Sequence, residues 1–361
     1  MGQGLHFLSV DLGAESGRVM LGGFDGERLS LREAHRFDSR PVRVPDGLHT
    51  DVLRILGEVR LGLAAAARQA DGEIGGVAVD TWGVDFALVD REGTLLGNPY
   101  HYRDGFSERA SEALFRRVGR EQLFRRTGTG FMPINTLCQL FALKLRQAPA
   151  LEAAERLLMM PDLFAYWLSG CRVSELTIAS TSQCLDLVSR TWAVDLLQEL
   201  GLPTRIFREL VPPGTVVGEL LRPLADEAGT GRIPVIAAAG HDTALAVAAV
   251  PAREPGFAYL SSGTWSLLGT ELPAPRIDSR SYSGGFTNEA GVAGTTRFLK
   301  NLCGLWILQE CRRAWGRGES LDSWDELTRL AAGAPPCRSL IDVDDPAFAL
   351  PGDMPARVQE Y

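Results

Sequence analysis

The sequence predicts a two-domain α/β protein, and three observations carry that expectation. Strand-like runs near the N-terminus give way to helical patterning, the mark of an α/β domain. The 361 residues divide into two domains at a prior of roughly 150 residues each. A strand–loop–strand unit after Pro251 repeats the layout of residues 7 to 24. Apolar residues make up 45% and charged residues 23%, a mixture that builds a sizeable core and excludes disorder as the main state.

His6 to Val10 reads as an apolar strand ending at Asp11, followed by the loop Leu12-Gly-Ala-Glu-Ser-Gly17 and a second run from Arg18 to Phe24. Asp25-Gly26 turns the chain into Leu29–Leu31, so the opening is a three-stranded meander. Leu53, Leu56, Val59, Leu63 and Ala66 keep helical spacing between Asp51 and Ala70, with Thr50 or Asp51 as N-cap. Gly76 to Asp80 is a buried strand, Thr81-Trp-Gly83 a connection, and Val84 to Val89 a further strand. Phe106 to Leu200 is mainly helical, broken at Gly128-Thr-Gly130 and at Met160-Pro161. The strand Ile233 to Ala238 leads into Gly240-His-Asp-Thr243, and Ala244 to Val250 forms a helix stopped by Pro251.

We place the domain boundary there, giving 1–250 and 251–361. In the second domain Phe257–Leu260 and Trp265–Leu268 flank the loop Ser261-Ser-Gly-Thr264. Arg297 to Trp315 reads as one buried helix, with Asn301 and Gln309 on one face.

Lys and Arg number 37 against 45 Asp and Glu, a net charge of −8 without any block of like sign. A polyanion-binding surface has no footprint, so no nucleic-acid partner is expected. The six cysteines are widely spaced and form no C-x-x-C pair, which excludes a zinc site and a disulfide framework. The N-terminus has no signal-peptide pattern and no apolar run approaches a membrane span, so the expected location is the cytoplasm, without a membrane partner. Only Lys144 and Lys300 are lysines, and neither closes a Walker-type phosphate loop.

Backbone N–H groups converging in Gly/Ser/Thr turns form anion-binding nests without a lysine. The two matched loops, Gly13–Gly17 and Ser261–Thr264, are therefore candidates to face one phosphate chain, with ordinary hairpin turns as the alternative. Asp11, at a strand end just before the first loop, is a candidate to hold Mg²⁺ through water. Asp80-Thr-Trp-Gly-Val-Asp85 places two carboxylates and an indole around one glycine, which suits a sugar; the alternative is an Asx-type turn with a core tryptophan. Gly240-His-Asp-Thr243 interrupts an apolar strand-to-helix junction with a polar triplet. Asp242 there either caps the helix or acts as base toward an acceptor hydroxyl.

These segments resemble the FGGY carbohydrate kinase family, and within it the rhamnulokinases. The resemblance rests on Val10-Asp-Leu-Gly-Ala-Glu-Ser-Gly-Arg18, Asp80-Thr-Trp-Gly-Val-Asp-Phe86, Tyr102-Arg-Asp104, Gly240-His-Asp-Thr243, Leu260-Ser-Ser-Gly-Thr-Trp-Ser266 and Leu299-Lys-Asn-Leu-Cys-Gly-Leu-Trp306. It implies the actin-like, RNase H-like ATPase fold and transfer of the ATP γ-phosphate to the C1 hydroxyl of L-rhamnulose, in L-rhamnose breakdown. By the same resemblance Asp242 is the catalytic base. Gly13, Ala14, Glu15, Ser16, Gly17, Thr264 and Gln309 contact ATP, while Gly83, His241, Asp242, Thr243 and Asn301 contact the sugar. Mg²⁺ accompanies ATP, and the assembly is a monomer or homodimer.

Family members continue past the position of Tyr361 into a glycine-rich adenosine-binding motif. Gly22-Gly23, Gly75-Gly76 and Gly284-Gly285 do not match it, so the second domain is expected to be incomplete. The alternatives are a kinase for another ketose such as L-fuculose, a sugar-binding protein without kinase activity, and an actin-like filament or chaperone ATPase.

Overall fold

Alternation along the first strand decides where the core lies. In β1 (Leu5–Leu12), Leu8, Val10 and Leu12 are buried at every second position, and they share one face because successive strand side chains point to opposite sides. β2 (Ser16–Phe24) and β3 (Leu29–Asp38) pair antiparallel behind it, giving the meander expected from the sequence. The helix α1 (Val52–Gln69) covers this face with Val52, Ile55, Val59, Leu63 and Ala66. The Asp51 side chain caps it by accepting the Arg54 N–H at 3.2 Å, satisfying a backbone donor with no partner inside the helix. Gly62 lets α1 approach the sheet closely: a Cβ there would lie 2.3 Å from Val19 Cγ2.

The structure is a computed structural model describing residues 4–254, 256–263, 265–315, 323–348 and 352–361. The chain forms two units, one of Met1–Pro251 with Leu272–Arg297 and one of Ala252–Glu271 with Phe298–Tyr361.

In the first unit, β4 (Glu73–Thr81) lies parallel to β1. A largely helical region follows, packed around Leu123, Leu137, Leu140, Phe141 and Leu196. The helical pattern is interrupted at Met160-Pro161 as the sequence suggested, because a strand over Arg156–Met159 ends there and a new helix begins. Pro161 sits in the first turn of α2 (Met160–Ser169), where its missing N–H costs nothing. β5 (Thr215–Glu219) pairs antiparallel with β6 (Pro234–Ala237), which is parallel to β4. The sheet order is β5-β6-β4-β1-β2-β3, so three adjacent parallel strands end at one edge. α3 (Asp242–Ala248) follows β6.

In the second unit, β7 (Ala258–Ser262) pairs antiparallel with β8 (Ser266–Leu272) across the second loop. The single helix expected from Arg297 to Trp315 is two elements. β9 (Thr296–Leu302) is a strand, and α4 (Trp306–Trp315) begins only after Cys303 to Leu305. The break lies at Gly304, which touches the neighbouring hairpin so closely that a Cβ would fall 2.7 Å from the Ser266 backbone nitrogen. Asn301 and Gln309 therefore stand on different elements. Among the described residues no helix is long and apolar enough to cross a membrane.

Candidate active site

The parallel strands β1, β4 and β6 bring three carboxylates to one edge of the first sheet. Asp11 near the end of β1 stands in register with Asp80 near the end of β4. Beyond β6, His241 forms a parallel bridge to Thr81, whose N–H donates to the Gly240 carbonyl at 2.9 Å. The next residue is Asp242. In open α/β sheets this carboxyl-end edge is where ligands bind.

The three acids are not equivalent. Burial, followed by the charges of Asp11 and Asp242, pushes the Asp80 carboxyl well above the ordinary carboxylate range. Asp11 is ion-paired: its Oδ2 accepts from Arg18 Nε at 2.8 Å and lies 2.8 Å from Arg18 Nη2. Asp242 keeps a side chain 41% exposed between buried His241 and Thr243, so a hydroxyl from solution can reach it.

Buried Glu175 holds the Gly240–Thr243 turn in place. Its Oε2 accepts the Gly240 N–H at 2.8 Å and the Thr177 hydroxyl at 2.6 Å. Burial raises the Glu175 carboxyl, and the hydrogen bonds from Thr177, Gly240 and Ile178 oppose that rise. A Cβ on Gly240 would come 2.8 Å from Pro161 Cγ and 3.1 Å from Glu175 Oε2, so the turn admits no side chain there. His241, not Asp242, occupies the N-cap position of α3. Asp242 Oδ1 instead accepts the Thr243 N–H at 2.5 Å and the Thr243 hydroxyl at 3.1 Å, which fixes its rotamer.

Gly83 leads into Val84, whose φ of 68° is an outlier for a β-branched residue, worth about 1–3 kcal/mol of strain. Surrounding groups enforce it. The Val84 N–H donates to Thr181 Oγ1 at 3.1 Å, and the Val84 carbonyl accepts from Thr136 Oγ1 at 2.6 Å. The sequence offered Trp82 and Asp85 to a sugar; both are buried, as in the alternative of a turn with a core tryptophan. Trp82 Nε1 donates to Asp85 Oδ2 at 2.8 Å, and Gln139 Nε2 lies 3.4 Å from Oδ1. Burial lifts Asp85 to about 7 against the hydrogen bonds of Trp82, Tyr102 and Gln139.

The first loop is a short hairpin tip. Gly13 N–H donates to the Ser16 carbonyl at 3.0 Å, and Ser39 Oγ donates to the Gly13 carbonyl at 2.5 Å. Ala14 and exposed Glu15 form its tip. Gly17 lies inside β2, paired with Leu12, where a Cβ would meet the Phe37 ring at 2.3 Å. Its position is set by packing, whatever else it does. Asn301 in β9 and Gln309 in α4 are partly buried within the second unit, and Thr264 lies outside the described residues.

Sequence reasoning missed a buried group beside His241. Glu289 and Arg297 belong to Leu272–Arg297, which the sequence assigned to the second domain and which packs with the first unit. Arg297 is fully buried; its Nη2 donates to Glu289 Oε2 at 2.8 Å, and both lie 3.0 Å from His241 Nδ1. Burial alone would raise the Glu289 carboxyl, but Arg297 and His241 outweigh it and bring it to about 2. The available signal was Asn288-Glu289 within the buried strand Thr287–Ala290, a polar pair that needs partners.

The model of the FGGY family of carbohydrate kinases, N-terminal domain, matches residues 6–249, and that of the C-terminal domain matches residues 258–361. The chain belongs to the FGGY family of carbohydrate kinases. Its fold is accordingly the actin-like ATPase fold of that family. Among curated relatives, a rhamnulokinase of Bacteroides thetaiotaomicron is 44% identical over 99% of this chain and 72% of its own length. One from Klebsiella pneumoniae is 39% identical over 98% of this chain and 71% of its own length. Solved structures share the architecture. A ligand-bound xylulose kinase from Lactobacillus acidophilus superposes with a TM-score of 0.79 at 18% identity, over 92% of this chain and 66% of that one. A xylulose kinase from Rhodospirillum rubrum gives 0.77 at 20% identity, over 92% and 67%.

Proposed function

We propose that this FGGY kinase transfers the γ-phosphate of ATP to the C1 hydroxyl of L-rhamnulose, giving L-rhamnulose 1-phosphate in L-rhamnose catabolism. The observation that carries the acceptor is the 36–44% identity to rhamnulokinases over 98–99% of the chain. The exposed Asp242 carboxylate among buried neighbours supports the chemistry.

Asp242 orients the attacking hydroxyl and accepts its proton as the bond from the sugar oxygen to γ-phosphorus forms and the β–γ bridge breaks. Thr243 fixes the carboxylate, and Glu175 fixes the turn that carries it, so geometry is set before the sugar arrives. Gly83, His241, Thr243 and Asn301 take the sugar, and Gly13 to Gly17, Thr264 and Gln309 take ATP.

Mg²⁺ fits this edge of the first sheet through water. Asp11 supplies a carboxylate at this edge, yet among the described residues no three metal-binding side chains converge on one point, so phosphate oxygens and water must complete the ion's shell. Bound there, the ion neutralises charge on the transferring phosphate. The assembly is a monomer or homodimer in the cytoplasm.

The test is ADP release by the chain with Mg-ATP and L-rhamnulose, L-fuculose, D-xylulose or no acceptor. Release driven by L-rhamnulose at the highest kcat/KM is expected. Preference for another ketose would overturn the acceptor, and acceptor-independent release would favour an ATPase.

A further inference from the structure

We infer that Thr177 and Thr181 are positioning residues, through which one short buried segment sets the spacing between the Gly83–Val84 turn and the turn that carries Asp242. Thr181 governs how the sugar is held, and Thr177 how the base is aimed.

Between Glu175 and Ser182 the chain buries a carboxylate and the hydroxyls of Thr177, Ser180, Thr181 and Ser182, none of these residues more than 4% exposed. Polar groups so far from water need partners. Ser180, Thr181 and Ser182 find a first one locally: each donates its hydroxyl hydrogen to the carbonyl three residues earlier, at 2.6, 2.8 and 2.5 Å. A hydroxyl oxygen that has given its hydrogen away still has lone pairs to accept with. Thr181 Oγ1 accepts the Val84 N–H at 3.1 Å, and Ser180 Oγ accepts the Ala290 N–H at 2.9 Å. Thr177 donates instead to Glu175 Oε2 at 2.6 Å, and its Oγ1 receives the His241 N–H at 3.4 Å. The same Glu175 oxygen accepts the Gly240 N–H.

Two turns far apart in sequence thus hang from one support. Val84 follows Gly83 and His241 precedes Asp242, so each suspended N–H lies one residue from a group assigned to the reaction. The backbone joining Thr177 to Thr181 is the helix Leu176–Ala179 running into a 3-10 turn over Ser180–Ser182, which leaves no hinge between the two hydroxyls. Their losses are not equivalent. Val84 is strained at a φ of 68°, and without the Thr181 hydroxyl its turn relaxes and draws Gly83 away from the sugar. The Gly240–Thr243 turn keeps Glu175 when the Thr177 hydroxyl is removed, so Asp242 stays in the site but shifts its aim, and a small misplacement of a base costs rate.

The two roles rest on the kinase reading above; the shared support does not. Steady-state kinetics of Thr181→Val and Thr177→Val, each beside its serine variant, separate the roles. Folded Thr181→Val raises the KM for L-rhamnulose about tenfold with kcat within about twofold of wild type, as loss of a ground-state contact requires. Folded Thr177→Val lowers kcat about tenfold with KM within about twofold, because only the aim of the base has changed. Thr181→Ser and Thr177→Ser keep the hydroxyl and recover most of each loss. A purely structural role does not divide the two constants between the two positions, so the same change from both variants, or none, overturns the inference. Amide hydrogen exchange in the wild-type chain needs no variant to fold. The Val84, Gly240 and Ala290 N–H groups are expected to exchange slowly and at similar rates, released together when the segment opens. A Val84 amide that exchanges as fast as a free loop amide overturns the inference as well. If the wild type phosphorylates no ketose, the kinase reading fails while exchange still decides the shared support.

Discussion

Trp82 gives its indole N–H to Asp85, three residues further on, and the carboxylate that receives it at 2.8 Å has no contact with solvent. The pair closes the strained turn through Val84 and ties it to Tyr102 and Gln139.

That burial has a pH signature. The Asp85 carboxyl lies at about 7 in the folded chain against about 3.9 in an unfolded one. Between those values the folded state binds the extra proton, so stability falls as pH rises, by up to about 1.4 kcal/mol per unit from this group. Asp85→Asn cannot ionise and still accepts the indole N–H through its amide oxygen. Melting curves at pH 5 and pH 8 should show the variant gaining on the wild type at the higher pH. A constant offset would mean that Asp85 does not titrate in this range.

Glu289 works in the opposite sense. Its carboxyl is held at about 2 in the folded chain, below the usual glutamate value, so its contribution is complete above about pH 4.3 and fades as pH falls toward 2. Glu289→Gln should flatten the acid limb of the stability curve, measured by urea denaturation between pH 5 and pH 3. An unchanged acid limb would refute the assignment.

Asp242→Asn keeps the shape of the site and removes the base. Phosphoryl transfer should fall by roughly 10²–10⁴-fold, with sugar affinity by calorimetry within about tenfold of wild type. Lost sugar binding with unchanged turnover would contradict the role given to Asp242.

Gly240→Ala should lower both stability and kcat/KM, because its Cβ collides with Pro161 and with the carboxylate that holds the turn. The expected cost is about 1–3 kcal/mol in urea denaturation. A variant as stable and active as wild type would show that Glu175 has room to move.

The opening meander and α1 were legible in the sequence because short-range periodicity alone dictates them: Leu8, Val10 and Leu12 alternate, and Val59, Leu63 and Ala66 keep helical spacing. The Asp11, Asp80 and Asp242 segments stood out because each puts a carboxylate at a strand end. What stayed hidden depends on contacts distant in sequence. Nothing local announces that Arg297 reaches His241, or that Glu175 accepts the Gly240 N–H. Gly304, a single residue approaching Ser266, splits an apolar run that otherwise reads as one helix, and Trp82 turned inward because a buried partner for its N–H lay three residues away.

The return of Leu272–Arg297 to the first unit has a consequence for synthesis. A ribosome that has released Asp242 has not yet made Glu289 or Arg297, and between them come Ala252–Glu271, which belong to the other unit. The first unit cannot complete itself as a simple N-terminal domain would. Expression of a fragment cut at Pro251 would expose the surface that Leu272–Arg297 covers and leave His241 without its buried partners.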